Sequence, residues 1–164
     1  MATGQELPRR VIDSIKSQTI PIRIITCITP GMINSSRSSS PEKLQGEINS
    51  RNLALDLAVK AREEFFIMQD RDTLQLKNDN YENLLNFIKA DHTIGVAALF
   101  AHNSVEFHVR MCSLIYRLES VLNFRFHMDN VRKTCTCFAM KKDMDKNKWG
   151  CVYYRPNQIL CEEI

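Results

Sequence analysis

The residues best suited to chemistry lie in the second half of the chain. His108 and Cys112 stand four apart, and Cys135 and Cys137 stand two apart. On a helix, positions i and i+4 share a face, so an imidazole and a thiol at that spacing can aim at one atom. On a strand, alternate residues share a face, which groups Cys135 with Cys137 and turns Thr136 away. Imidazole nitrogen and thiolate sulfur are the ligands that zinc takes in closed tetrahedral sites. His108, Cys112, Cys135 and Cys137 therefore form a candidate structural zinc site that would tie a hairpin to a helix. His127, Cys135, Cys137 and Cys151 are an alternative set within the C-terminal region. Neither set has the C-x2-C and H-x3-H spacing of a zinc finger, and core thiols with a hydrogen-bonded histidine are the simpler reading of the same residues.

A second chemistry is phosphate binding. Between Arg125 and Arg155 the chain carries Arg125, Arg132, Lys133, Lys141, Lys142, Lys146, Lys148 and Arg155 against three acidic residues. Phe126, Phe138, Trp149, Tyr153 and Tyr154 are interleaved with them. Cations neutralise the backbone of a nucleic acid, and exposed rings stack on its bases. Arg125, Arg132, Lys133, Lys141, Lys142, Lys146, Lys148, Trp149, Tyr153 and Arg155 make up the expected interface, with RNA favoured over DNA. Asp143 and Asp145 dilute its charge, and a solvated loop with the aromatics in the core is the competing reading. Ile159, Cys161 and Glu163 have the spacing of an L-x-C-x-E docking peptide, with isoleucine in the first place.

Enzyme chemistry is poorly served. A thiol–histidine enzyme would need His102 or His108 beside Cys112 or a thiol of the C-terminal meander, and no Gly-Cys elbow or oxyanion glycines accompany them. With only five glycines, neither a Walker loop nor a dinucleotide-binding loop is present. The expectation is a non-enzymatic regulatory protein that binds nucleic acid with a structural zinc. The alternatives are a protein-interaction adaptor, such as a viral accessory or host-targeting regulator docking through helices, and then the thiol–histidine enzyme. The polar start, MATGQELPRR, and the lack of a long apolar run predict a cytoplasmic or nuclear protein with no membrane partner, whose six cysteines stay reduced.

The elements that must position these residues follow from periodicity. Val96, Phe100, Phe107, Met111, Leu114, Leu118 and Val121 recur at helical intervals, and Asp91 or Thr93 can cap a helix from 93 to 122. Further helices are predicted over 6–17, 41–69 and 79–90, the last with Asp79 and Glu82 as a capping box. A strand is predicted over 19–29, where Ile20, Ile22 and Ile24 alternate and Cys27 is a buried thiol. A Ser-rich linker over 34–41 offers Ser38 to Ser40 to phosphorylation. Residues 124–128, 133–140 and 150–155 read as strands, and 141–148 as a charged loop. The expected fold class is α+β, a single domain over 1–164. It consists of an N-terminal strand and linker (1–40), a central antiparallel helical bundle (41–122) and a small antiparallel β-meander (123–164) that the N-terminal strand can join.

Overall fold

A computed structural model describes residues 7–25, 41–100, 113–128, 136–155 and 158–163. The Ser-rich linker, most of the proposed N-terminal strand with Cys27, and His102 lie outside them. The chain folds as a mixed α/β structure with several helices and two small sheets. In order these are α1 (Arg9–Lys16), α2 (Pro41–Ala61), β1 (Phe65–Gln69), β2 (Thr73–Gln75), α3 (Asn80–Ala90), β3 (Ile94–Leu99), β4 (Ser113–Arg117), α4 (Leu118–Val121), α5 (Thr136–Lys146), β5 (Gly150–Tyr154) and β6 (Cys161–Glu163).

The main sheet has the order β1-β4-β3-β5, and β2 pairs separately with β6. β4 runs antiparallel to both β1 and β3, whereas β5 runs parallel to β3. β1 and β3 therefore point the same way with β4 inserted between them, and α3 lies in the connection from one to the other.

The helix expected over 93–122 does not form. Ile94–Leu99 and Ser113–Arg117 are strands, buried at every position. Central strands covered on both faces read as unbroken apolar runs, which periodicity does not separate from a buried helix. Asp91 was expected to cap a helix. Its Oδ1 instead accepts from the Thr93 amide at 2.8 Å and from the Thr93 hydroxyl at 2.7 Å, holding a turn that feeds β3. The same short-range bonds start turns and helices alike. Those two bonds also hold the Asp91 carboxyl below its ordinary pKa.

The helix expected over 41–69 stops at Ala61. Arg62 adopts a left-handed backbone (φ 56°), and its amide reaches the Ala58 carbonyl at 3.2 Å, closing α2. Phe65–Gln69 then pairs with β4. The helices expected over 6–17 and 79–90 are present as α1 and α3. Residues 21–25 have no regular structure.

The β-meander is also replaced. Residues 136–146, expected as strand and charged loop, form α5 with Ala139, Met140 and Met144 buried. Residues 124–128 are extended but join no sheet. Asn52 of α2 takes the place of a neighbouring strand there: its side chain donates to the Phe126 carbonyl at 3.1 Å and accepts from the Phe126 amide at 2.8 Å. The strand expected over 150–155 is present as β5, but as a parallel neighbour of β3.

A core forms on each face of the sheet, and a smaller third cluster joins Val11 and Ile15 of α1 to Tyr81. Val96, Ala98, Leu114 and Tyr116 face Leu55 of α2, Val121 of α4, and Met140 and Met144 of α5. Ala97, Leu99 and Ile115 face Leu84 and Ile88 of α3, joined by Leu160 and Cys161. Ile94 lies on the α3 side with Ala97, because the β3–β5 register shifts at Gly95. A Cβ on Gly95 would come within 2.7 Å of Ser120 Cβ and 3.0 Å of Trp149 Cβ, so this close approach admits only glycine.

Candidate nucleic-acid interface

Among the described residues, no three His, Cys, Asp or Glu side chains gather to hold a metal ion, which overturns the expected zinc site. His108, Cys112 and Cys135 lie outside the described residues. Cys137 sits on helix α5, half-buried against the α2/α5 core, so the strand that was to present it does not exist. The alternative set fails for a related reason. His127 Nε2 is engaged by Asp143 Oδ2 at 2.7 Å, and its Nδ1 lies 2.9 Å from the Met128 carbonyl oxygen. Cys151 faces the same core from β5, where burial pushes its thiol up to about 12, against a smaller opposing pull from Lys141. A thiol held in that state is a poor thiolate ligand.

The basic residues fare differently. Arg132 and Lys133 lie outside the described residues. Arg125 pairs with Asp56 of α2 at 2.8 Å, a contact exposed on both sides. Helix α5 carries the rest. Its inner face, Thr136, Ala139, Met140 and Met144, is buried. Its two aspartates are both engaged, Asp143 with His127 and Asp145 with Lys141, each at 2.7 Å. Lys142 and Lys146 remain on the outer surface, one helical turn apart, with Lys142 resting over the Phe138 ring at 4.7 Å. Like charges at this spacing repel.

The end of α5 explains Lys148 and Trp149. The Lys148 amide donates to the Asp145 carbonyl at 3.0 Å and the Trp149 amide to the Met144 carbonyl at 2.9 Å. Lys148 has φ 62°. This is a Schellman motif in which lysine occupies the left-handed position usually held by glycine. Trp149 packs into the same core as Met144, the apolar contact that accompanies such an ending. Trp149 is therefore a clip and not an exposed stacking platform. Tyr153 likewise packs inward and meets Phe100 edge-on at 5.3 Å. Arg155, also left-handed (φ 47°), stacks over Tyr154 at 5.1 Å at the far end of β5.

The structure thus divides the expected interface. Lys142, Lys146 and Lys148 share the outer side and C-terminal end of α5, with Lys141 beside them in its ion pair. Arg125 and Arg155 stand apart from this group. The docking peptide expected at the C-terminus is not accessible: Cys161 is buried and β6 is paired with β2.

A polar cluster that sequence reasoning missed lies on the opposite side of the molecule. Asn80 donates to the Gln75 side chain at 3.0 Å and to the Leu160 carbonyl at 2.7 Å. Gln75 Nε2 reaches Gln69 Oε1 at 2.6 Å and Ser113 Oγ at 3.1 Å, and the Tyr81 hydroxyl bonds to Gln69. Burial pushes the Tyr81 phenol above its ordinary pKa. A groove of about 380 Å³ near them is lined by 15–16, 18–22 and 24 and by no member of the cluster. The cluster joins α3, β1, β2, β4 and the residue before β6, which is structural work. No described helix is long and apolar enough to cross a membrane. No family model matches this chain, and no curated protein matches its sequence.

Proposed function

We propose that the chain is a non-enzymatic regulatory protein that binds nucleic acid through the lysine-bearing side of α5. The observation that carries this reading is Lys148. A lysine in left-handed backbone costs stability that glycine would not, and such strain is retained where the side chain serves a purpose. Lys142 and Lys146 extend the same surface, while the aspartates of α5 are occupied by other partners. The contact is made with phosphates, since Trp149 and Tyr153 are packed inward. Recognition follows backbone shape and charge more than base identity.

The test is the triple variant Lys142→Ala, Lys146→Ala, Lys148→Ala, titrated against single-stranded RNA, duplex RNA and duplex DNA over a range of salt. The slope of log K against log salt should fall by roughly 2 to 3, as expected for three lost phosphate contacts. Unchanged affinity and slope would sink the reading.

A further inference from the structure

Strand β1 is an edge of the main sheet, and among the described residues no strand pairs with its outer side. The Leu118 amide bonds to the Glu64 carbonyl at 2.9 Å, which turns Glu64 towards β4. By strand alternation Phe66 and Met68 also turn their main-chain groups to β4, while those of Phe65, Ile67 and Gln69 point outward. Among the described residues no strand lies on that side. The edge reads Phe-Phe-Ile-Met-Gln and is half-buried for most of its length. It has none of the lysines, prolines or bulges with which proteins blunt an edge.

The charges around this edge are complementary to themselves. Arg62 and Glu63 precede β1, and Arg71 and Asp72 follow it; all four are exposed. An antiparallel copy of β1 centred on Ile67 sets Ile67 against Ile67, and Phe65 against the partner's Gln69. Past the strand ends, where Arg71 and Asp72 form the turn closed by the Thr73 amide on the Asp70 carbonyl at 3.1 Å, the same dyad places the Arg62–Glu63 segment near the partner's 71–72 turn. Glu64 and Asp70 also approach across it, but Asp70 is bonded to Arg51 at 3.0 Å and Glu64 lies 4.0 Å from Arg117. The main-chain groups that point outward are those of 65, 67 and 69, symmetric about the same residue that balances the charges.

We propose that β1 is a homodimer interface, joining two chains edge to edge into one continuous eight-stranded sheet. The two-fold axis passes by Ile67. Opposite charges at both ends fix the antiparallel register, as cross-strand ion pairs do within a sheet. Any other extended strand could satisfy the hydrogen bonds, but a second copy also sets charges of opposite sign near one another at both ends.

The test uses the full chain in sedimentation velocity across a concentration series. A dimer is expected. By symmetry each single reversal, Arg62→Asp or Asp72→Arg, disturbs two contacts, and it should raise the dissociation constant about tenfold. The double variant Arg62→Asp, Asp72→Arg should return to near the parent value. In the parent chain, amide exchange at Phe65, Ile67 and Gln69 should slow as concentration rises. A monomer at every concentration overturns the proposal. So does a dimer indifferent to the single reversals with no protection of the three amides, because its interface would then lie elsewhere.

Discussion

The two faces of the four-stranded sheet are sealed in different ways. On the α2/α5 side the contact is made by volume: Phe66 stacks on Tyr116 at 5.0 Å, Phe126 meets Tyr116 edge-on at 6.4 Å, and Met140 fills the space beneath. Burial pushes the Tyr116 phenol up, and its hydroxyl bonds to the Met140 sulfur at 3.4 Å. Charge is kept to the margin, where Arg51 bridges Glu47 and Asp70. Burial of Arg51 opposes its charge, but the two carboxylates outweigh this and hold the guanidinium above its ordinary pKa. On the α3 side, β4 is polar at both ends. Ser113 joins the cluster around Gln75 at the start of α3. Arg117 donates to the Ile88 carbonyl at 2.6 Å and the Ile94 carbonyl at 3.2 Å at its finish. A cation there satisfies orphan carbonyls and complements the helix dipole. Apolar packing tolerates small slips, whereas a chain of directional bonds at both ends of a helix does not. The α3 face therefore sets the register, and the α5 face is held by apolar packing.

Substitutions on each face can break this comparison. Tyr116→Ala should cost about 4 kcal/mol in denaturant unfolding, the usual scale for emptying an aromatic from a core. A loss below about 1 kcal/mol would show that the α5 face is loosely packed. Asn80→Ala removes one of two donors to the Leu160 carbonyl, which keeps the Leu76 amide at 3.1 Å, and one donor to the Gln75 side chain, and should cost about 1 to 2 kcal/mol. It should also speed amide exchange in β6 more than in β5; equal acceleration in both would mean that the polar cluster does not act locally.

Alkali should weaken the α5 face through Cys151. Its thiol pKa rises from 9.0 to about 12 on folding, so the folded chain keeps a proton that the unfolded chain gives up. Stability from this group is complete below pH 9.0 and is lost as the pH climbs to about 12. Cys151→Ala should flatten that part of the stability–pH curve, and an unchanged curve would assign the loss to other groups.

Two changes should stabilise. Thr73 Oγ1 is buried without a hydrogen-bond partner among the described residues. Thr73→Val should therefore be neutral or gain up to about 1 kcal/mol. Lys148→Gly relieves the left-handed lysine and should gain about 0.5 to 1 kcal/mol while weakening nucleic-acid binding. A gain in stability with no loss of binding would separate the strain from the function.

What the sequence made legible follows the same division. α1 and α3 could be read because Val11 with Ile15, and Leu84 with Ile88, repeat on one side of a helix whose other side is polar. β5 could be read because Cys151 to Tyr154 favours strand and is bounded by Gly150. The two central strands could not, since Ile94–Leu99 and Ser113–Arg117 are buried on both faces and have no polar side to reveal their period. α5 was hidden by β-favouring Thr136, Cys137 and Phe138 at its start, a local preference overridden by packing of Met140 and Met144. The zinc expectation failed with that strand. Within the basic region the lysines were visible as charge, but which of them meet carboxylates depends on Asp56, Asp143 and Asp145, whose directions only the fold decides. The Gln69–Gln75–Asn80 cluster gave no signal, because isolated amides in sequence look like surface.

The pairing of β2 with β6 has a consequence for how the chain comes together. Thr73–Gln75 leave the ribosome early, and their partners Cys161–Glu163 emerge last among the described elements. β1 likewise waits for β4, whose first residue is Ser113. Contacts between such distant segments must close long loops before they return any free energy, which slows folding. During synthesis β1 thus lacks its partner until β4 has emerged, and the buried amides of β2 lack theirs until β6 has. A pause after Tyr154 would leave the nascent chain with the strands of its main sheet made and its second sheet open.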